Sequence, residues 1–171
     1  RALLLALGMA VQGADPNGLG EAGEARLPVL RPISVTLRGR RDLAQHFAIS
    51  AALAAGATGG FADAVGVFKE LSDSQGGSGF SFPDLLADRA GVVLAERATG
   101  DAAVEIQTRL AGHTDEGLFM PPIDRLPEGL QNAEFRLRYE DIDTQAYEAV
   151  GSEVERRIAA LDLYQIGRAS C

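Results

Sequence analysis

Three polar groups stand out in the first half of the chain: Asp42 with His46, Lys69 with Glu70 and Asp73, and Asp84 with Asp88. Spacings of three and four residues put the acidic and imidazole members of each pair on one face of a helix. An imidazole, an ammonium and several carboxylates brought together suit acid/base chemistry. His46 would be the base or a metal ligand, Glu70 and Asp88 the proton-transferring or metal-binding carboxylates, and Lys69 the stabiliser of developing negative charge. Asp42, Asp73 and Asp84 would bind ligand around them. A divalent metal would find one imidazole in His46 and oxygen donors in Glu70, Asp73 and Asp88, a set open to zinc, manganese or magnesium.

Each residue also has a plainer use. Asp84 follows Ser81 by three positions, the spacing of a capping box, and Asp42 suits the positive end of a helix dipole. His46 between Leu43 and Phe47 fits a hydrogen-bonded core histidine, and Glu70 and Asp73 fit a solvated face or a local pair with Lys69. Asp88 lies inside an apolar helix, and Gly91 on the same face lets a second helix approach closely. Lys69 is the single lysine against fifteen arginines, which favours a specific ammonium there. No zinc-protease helix motif, no nucleophile elbow and no phosphate-cradling loop is present, since Gly76–Gly79 lacks the following Lys-Ser/Thr.

The elements that must position these groups are helical. Leu43, Phe47, Ser50 and Leu53 form a stripe from Asp42 to the breaker at Gly56–Gly60. A second helix is expected over Phe61–Ser74 and a third from Ser81 to about Ala98, with Pro83 in its first turn. A further helix covers Ala102–Leu110, and Phe119–Pro127 is an extended, proline-stiffened connection. One or two helices follow from Ala133 to about Leu163, with a stripe of Val154, Ile158 and Leu161, and Gly151 permits a break. The fold expected is mostly α, a small irregular helical bundle with an extended N-terminal arm and a Pro-rich connection. Residues 1–13 read as a truncated signal peptide, 14–41 as the arm, 42–166 as one helical domain and 167–171, with Cys171, as a frayed tail.

With 171 residues, 46% of them hydrophobic and 23% charged, the chain can bury one core. A net charge of −8 argues against nucleic acid or an anionic bilayer as main partner. A single Cys excludes an internal disulfide framework and a multi-thiolate metal site. The arm to residue 41 carries six Arg and three acids, the body ten basic and 21 acidic residues. An arm lying on its own acidic body accounts for this. Residues 115–155 hold eleven acids and three Arg, a surface for a basic protein partner. The apolar run after Arg1, ending in small residues, points to export, to the periplasm or beyond. No Cys follows it to take a lipid anchor. Leu43–Ala62 lacks charge, but its Gly, Thr, Gln and His content makes it a weak span and leaves at most a membrane-associated helper.

The ordered motifs Asp42-x-x-x-His46, Lys69-Glu70-x-x-Asp73 and Asp84-Leu-Leu-Ala-Asp88-x-x-Gly91 resemble those of the YfiM-like family of predicted periplasmic proteins. The resemblance covers roughly Asp42–Gly91. It implies an envelope location and a shared polar site, and no particular reaction. The function expected is that of an exported envelope protein with a structural or ligand-binding His/Lys/carboxylate cluster. The alternatives are a hydrolase, metal-assisted or not, using the same groups, and a membrane-associated helper.

Overall fold

Runs of apolar residues at helical spacing, separated by Gly- and Pro-bearing joints, build a helical bundle in the computed structural model. It describes residues 1–13, 32–56, 79–113, 115–142 and 144–166. The helix expected over Phe61–Ser74, with Lys69, Glu70 and Asp73, lies outside the described residues, as do most of the arm and the tail with Cys171.

Among the described residues there are seven α-helices: α1 (Ala2–Gln12), α2 (Arg41–Gly56), α3 (Phe82–Thr99), α4 (Ala103–Ala111), α5 (Asn132–Tyr139), α6 (Gln145–Ala159) and α7 (Asp162–Gln165). A 3-10 turn covers Glu116–Leu118. No strand forms among these residues. Two isolated bridges join Leu37 to Arg40 and Phe80 to Leu130. The expectation of a mostly α bundle is met.

α3 is the central helix. Ser81 caps it by accepting a hydrogen bond from the Asp84 amide at 3.2 Å, and Pro83 sits in the first turn, where its missing N–H costs nothing. Phe82, Leu86, Ala87 and Ala90 are completely buried. α2 packs along one side of α3, while α4, α6 and α7 contact it elsewhere through Ile106, Val154, Ile158 and Tyr164. Phe80, Phe82, Phe135, Tyr139 and Tyr147 form an aromatic cluster where α3, α5 and α6 meet. Deleting Phe82 from it would cost about 3–5 kcal/mol.

The apolar run at the start forms α1, which ends at Gly13 in the left-handed conformation with φ 69°. It lies directly on α2, because a Cβ on Gly8 would come within 2.7 Å of the Ala52 Cβ. No helix among the described residues is long and apolar enough to cross a membrane.

Two expectations need correction. The C-terminal helical region does not break at Gly151, which lies inside α6. It breaks between Tyr139 and Gln145, where Glu140 takes a positive φ of 60° and Thr144 caps α6 by accepting from the Tyr147 amide. The buried stripe of α2 also leaves Leu53 and continues instead through Ala51 and Ala55, which pack with Ala95. Small side chains win there because the two helix backbones nearly touch.

Candidate functional site

His46 and Ser50 stand one turn apart on α2, and Asp84 and Asp88 one turn apart on α3. Contacts advance along both helices together, from His46 with Asp84 to Ser50 with Asp88 and on to Ala51 and Ala55 with Ala95. The helices therefore run parallel. Gly91 sets their separation, since a Cβ there would lie 2.3 Å from the Phe47 carbonyl oxygen and 3.1 Å from the Ala51 nitrogen. At that approach, side chains as short as Ser and Asp can meet across the interface.

Asp88 is the shared acceptor. It takes the Ser50 hydroxyl hydrogen at 2.7 Å and faces His46 Nδ1 at 3.2 and 3.3 Å. His46 Nε2 lies on the opposite side of the ring, 3.7 Å from Asp84 Oδ2. The side chains of His46, Asp84 and Asp88 are 25%, 20% and 24% exposed, so the network is neither sealed nor freely solvated. Burial pulls the His46 imidazole down, but the Asp88 hydrogen bond and the charges of Asp88, Asp84 and Asp42 outweigh it and leave the pKa above the ordinary 6.5. Burial also pushes the Asp84 carboxyl up, with the His46 charge opposing. Asp84 Oδ1 is buried and accepts no hydrogen bond.

Asp42 and Asp84 both occupy first turns, and parallel packing brings these two acids to the same end of the bundle. Arg40 relieves the crowding. Its Nε and Nη2 donate to the two Asp42 oxygens at 3.1 and 2.5 Å, Nη1 pairs with Glu128, and Nη2 lies 3.6 Å from Asp84 Oδ1. The Arg40 hydrogen bond holds the Asp42 carboxyl below its usual value against burial, and the Asp42 bond in turn raises the guanidinium. Arg38, at φ 51°, anchors this turn by donating to the Met120 and Pro121 carbonyls.

The structure thus unites His46, Asp84 and Asp88, with Asp42 joined at the rim through Arg40. Lys69, Glu70 and Asp73 lie outside the described residues. Ser50, Arg40 and Glu128 join the site without having been singled out as site residues from the sequence. Ser50 carried a usable sign, since a hydroxyl on an apolar stripe one turn from His46 needs an acceptor. Glu128, 88 residues from its partner, carried none.

These contacts limit the chemistry. Asp88 lies between Ser50 and His46, whereas an activated serine needs the imidazole between hydroxyl and carboxylate. Because Asp88 and Asp84 face opposite ring nitrogens, His46 can share a cation with only one of them. No group of three or more His, Cys, Asp and Glu side chains among the described residues is placed to hold a metal ion. Of the four-ligand set expected from the sequence, Glu70 and Asp73 lie outside the described residues, and His46 and Asp88 face each other. What the arrangement does provide is an imidazole held between the carboxyl groups of Asp84 and Asp88 on a neighbouring helix, binding its proton more tightly than a free histidine.

Comparison with protein-family models, curated proteins and solved structures finds no match to this chain. The class is defined by the fold and the network, a small all-α bundle with a carboxylate-bracketed histidine between parallel helices.

Proposed function

We propose that this is an exported envelope protein of non-catalytic type, in which the His46–Asp88–Ser50 network, with Asp84 and Arg40 beside it, clamps α2 to α3. One observation carries the structural part of the reading: Asp88 spends its acceptors on two donors from the facing helix, Ser50 and His46. A partly buried network whose central carboxylate is paired across the helices in this way fixes register and helix approach rather than presenting a free reactive group. Support for export comes from the resemblance of the Asp42–Gly91 motifs to those of the YfiM-like family.

The reading is tested on the purified full chain by His46→Ala and Asp88→Ala together with elemental analysis of the native protein. A structural clamp loses about 3 kcal/mol in either variant and carries no stoichiometric metal. Stoichiometric zinc or manganese that disappears with His46→Ala overturns it. Cell fractionation tests location, where recovery with cytoplasmic markers overturns export.

A second reading has its own observation, the buried Asp84 Oδ1 without a hydrogen-bond donor on a carboxyl group that also faces His46. An acid with a raised pKa next to an imidazole is a pairing suited to proton transfer during hydrolysis. Under that reading Asp84→Asn abolishes turnover of ester or phosphoester substrates while the fold melts unchanged.

A further inference from the structure

Between α5 and α6 the chain turns without a residue made for turning. From Asn132 to Val150 the sequence holds no Gly and no Pro, so nothing in its composition obliges a helix to stop there. The stop falls on Glu140. With φ 60° and ψ −63°, and with the Asp141 amide donating to the Tyr139 carbonyl at 2.6 Å, Glu140 is the centre of a γ-turn of the rare, positive-φ form. Glycine takes such a conformation freely, whereas a residue with a Cβ is strained in it and stays only where its surroundings hold it. Burial is not what holds Glu140, whose side chain is exposed. Hydrogen bonds on either side do so: the Glu140 amide donates to the Arg136 carbonyl at 2.9 Å, and Thr144 ties the Tyr139 carbonyl to the Tyr147 amide.

Beyond the turn lies a unit that docks by its own contacts. α6 and α7 seat on α3 through Val154, Ile158 and Tyr164, Glu155 pairs with Arg89, and Arg97 donates to the Ile166 carbonyl. Tyr147 packs against Phe135 and Tyr139 of α5 and against Phe80 and Phe82 at the start of α3. None of these contacts depends on the turn, so an α6–α7 unit from a second copy of the chain makes each of them in the same place. Only the joint differs. There α5 can run on into α6 as one rod from Asn132 to Ala159, roughly 42 Å long, and the strain at Glu140 is released.

We infer that Glu140 is a strained hinge through which two copies of this chain exchange their α6–α7 units. A net charge of −8 on each copy opposes their meeting, which confines the exchange to high protein concentration and to salt that screens the repulsion. The α2–α3 network is the same in both forms, so the hinge stands or falls separately from the role given to His46 and Asp88.

The test measures the monomer–dimer dissociation constant of the full chain by sedimentation equilibrium, up to about 1 mM protein in about 0.5 M salt. A dimer is expected at the upper end. Glu140→Gly accepts the turn without strain and disfavours the continuous helix, and it raises the dissociation constant at least about tenfold. Thr144→Ala removes the α6 cap and lowers it about tenfold. The exchange itself is read in a Cys171→Ser chain carrying Arg89→Cys and Glu155→Cys, treated with a short bismaleimide. In the dimer the reagent joins two chains, because Arg89 of one copy faces Glu155 of the other, and in the monomer it closes a loop within one. A chain that stays monomeric, Thr144→Ala included, overturns the proposal. So does a dimer whose dissociation constant Glu140→Gly leaves unchanged, or one in which the bismaleimide closes only within single chains, since either marks contact between intact monomers.

Discussion

Gly91 on α3 and Phe47 on α2 stand in backbone contact, so near that a Cβ on Gly91 would sit 2.3 Å from the Phe47 carbonyl oxygen. A backbone oxygen cannot swing aside like the end of a side chain, so accommodating a methyl group requires the helices to separate. Gly91→Ala therefore loses about 1–3 kcal/mol in denaturant unfolding, although alanine is the better helix former. Gly151→Ala is the matched control. Its Cβ enters open space in α6, and stability rises by about 0.5–1 kcal/mol. Equal effects at the two sites would contradict the close α2–α3 approach.

Separation of those helices would also pull Ser50 and His46 from Asp88, so the network and the glycine contact are one mechanical unit. Ser50→Ala removes one neutral donor and costs about 1 kcal/mol. Asp88→Ala strands two partners and costs about 3 kcal/mol. Since Ser50 acts through Asp88, the double variant falls short of the sum by about 0.5–1 kcal/mol, measurable in a double-mutant cycle. Additive losses would mean that the 2.7 Å contact contributes nothing.

Tyr164 closes the other side of α3. Its hydroxyl donates to the Phe119 carbonyl at 2.7 Å, with the Ala90 carbonyl at 3.3 Å, and burial pushes its pKa up. Tyrosinate at this position requires unfolding. In an ultraviolet titration of the folded protein Tyr164→Phe leaves the absorbance change unaltered and removes one tyrosine's share only from the alkaline unfolding step. The same substitution costs about 1–2 kcal/mol through the stranded carbonyl.

The borders of α2 and the start of α3 were legible within a residue or so because local chemistry writes them: Gly56 at the end of α2, Ser81 before Asp84 and Pro83 in the first turn of α3. Asp84 and Asp88 could be placed on one face by spacing, and His46 proved to face both. Ser50 could be assigned to the buried stripe but not to Asp88, a partner 38 residues away. Arg40 was read only as part of a basic arm, yet its guanidinium joins Asp42 to Glu128 across 88 residues. The break near Gly151 was misplaced because glycine permits a break without requiring one. The break is set locally instead, by Glu140 at positive φ and by Thr144, which caps the next helix while its hydroxyl donates to the Tyr139 carbonyl.

The electrostatics of the clamp give it a pH signature of definite sign. His46 has a folded pKa above 6.5, so the folded state binds the proton more tightly than the unfolded chain. Its contribution is fully present below about pH 6.5 and is lost as pH rises through the folded value. Asp84, also raised, acts in the same direction at lower pH, where its protonation relieves a buried charge. Asp42 opposes both, being lowered by Arg40, and its contribution disappears in acid as pH falls through its folded value. Stability is thus greatest in mildly acidic solution and declines above pH 6.5, where neutralising the imidazole leaves Asp84 and Asp88 as two carboxylates without the charge between them. Urea unfolding from pH 5 to 9 measures this. His46→Gln keeps a polar side chain but cannot titrate, and its stability profile is flat between about pH 6.5 and 8. A wild-type profile equally flat over that interval would show that His46 is not held charged by its two aspartates.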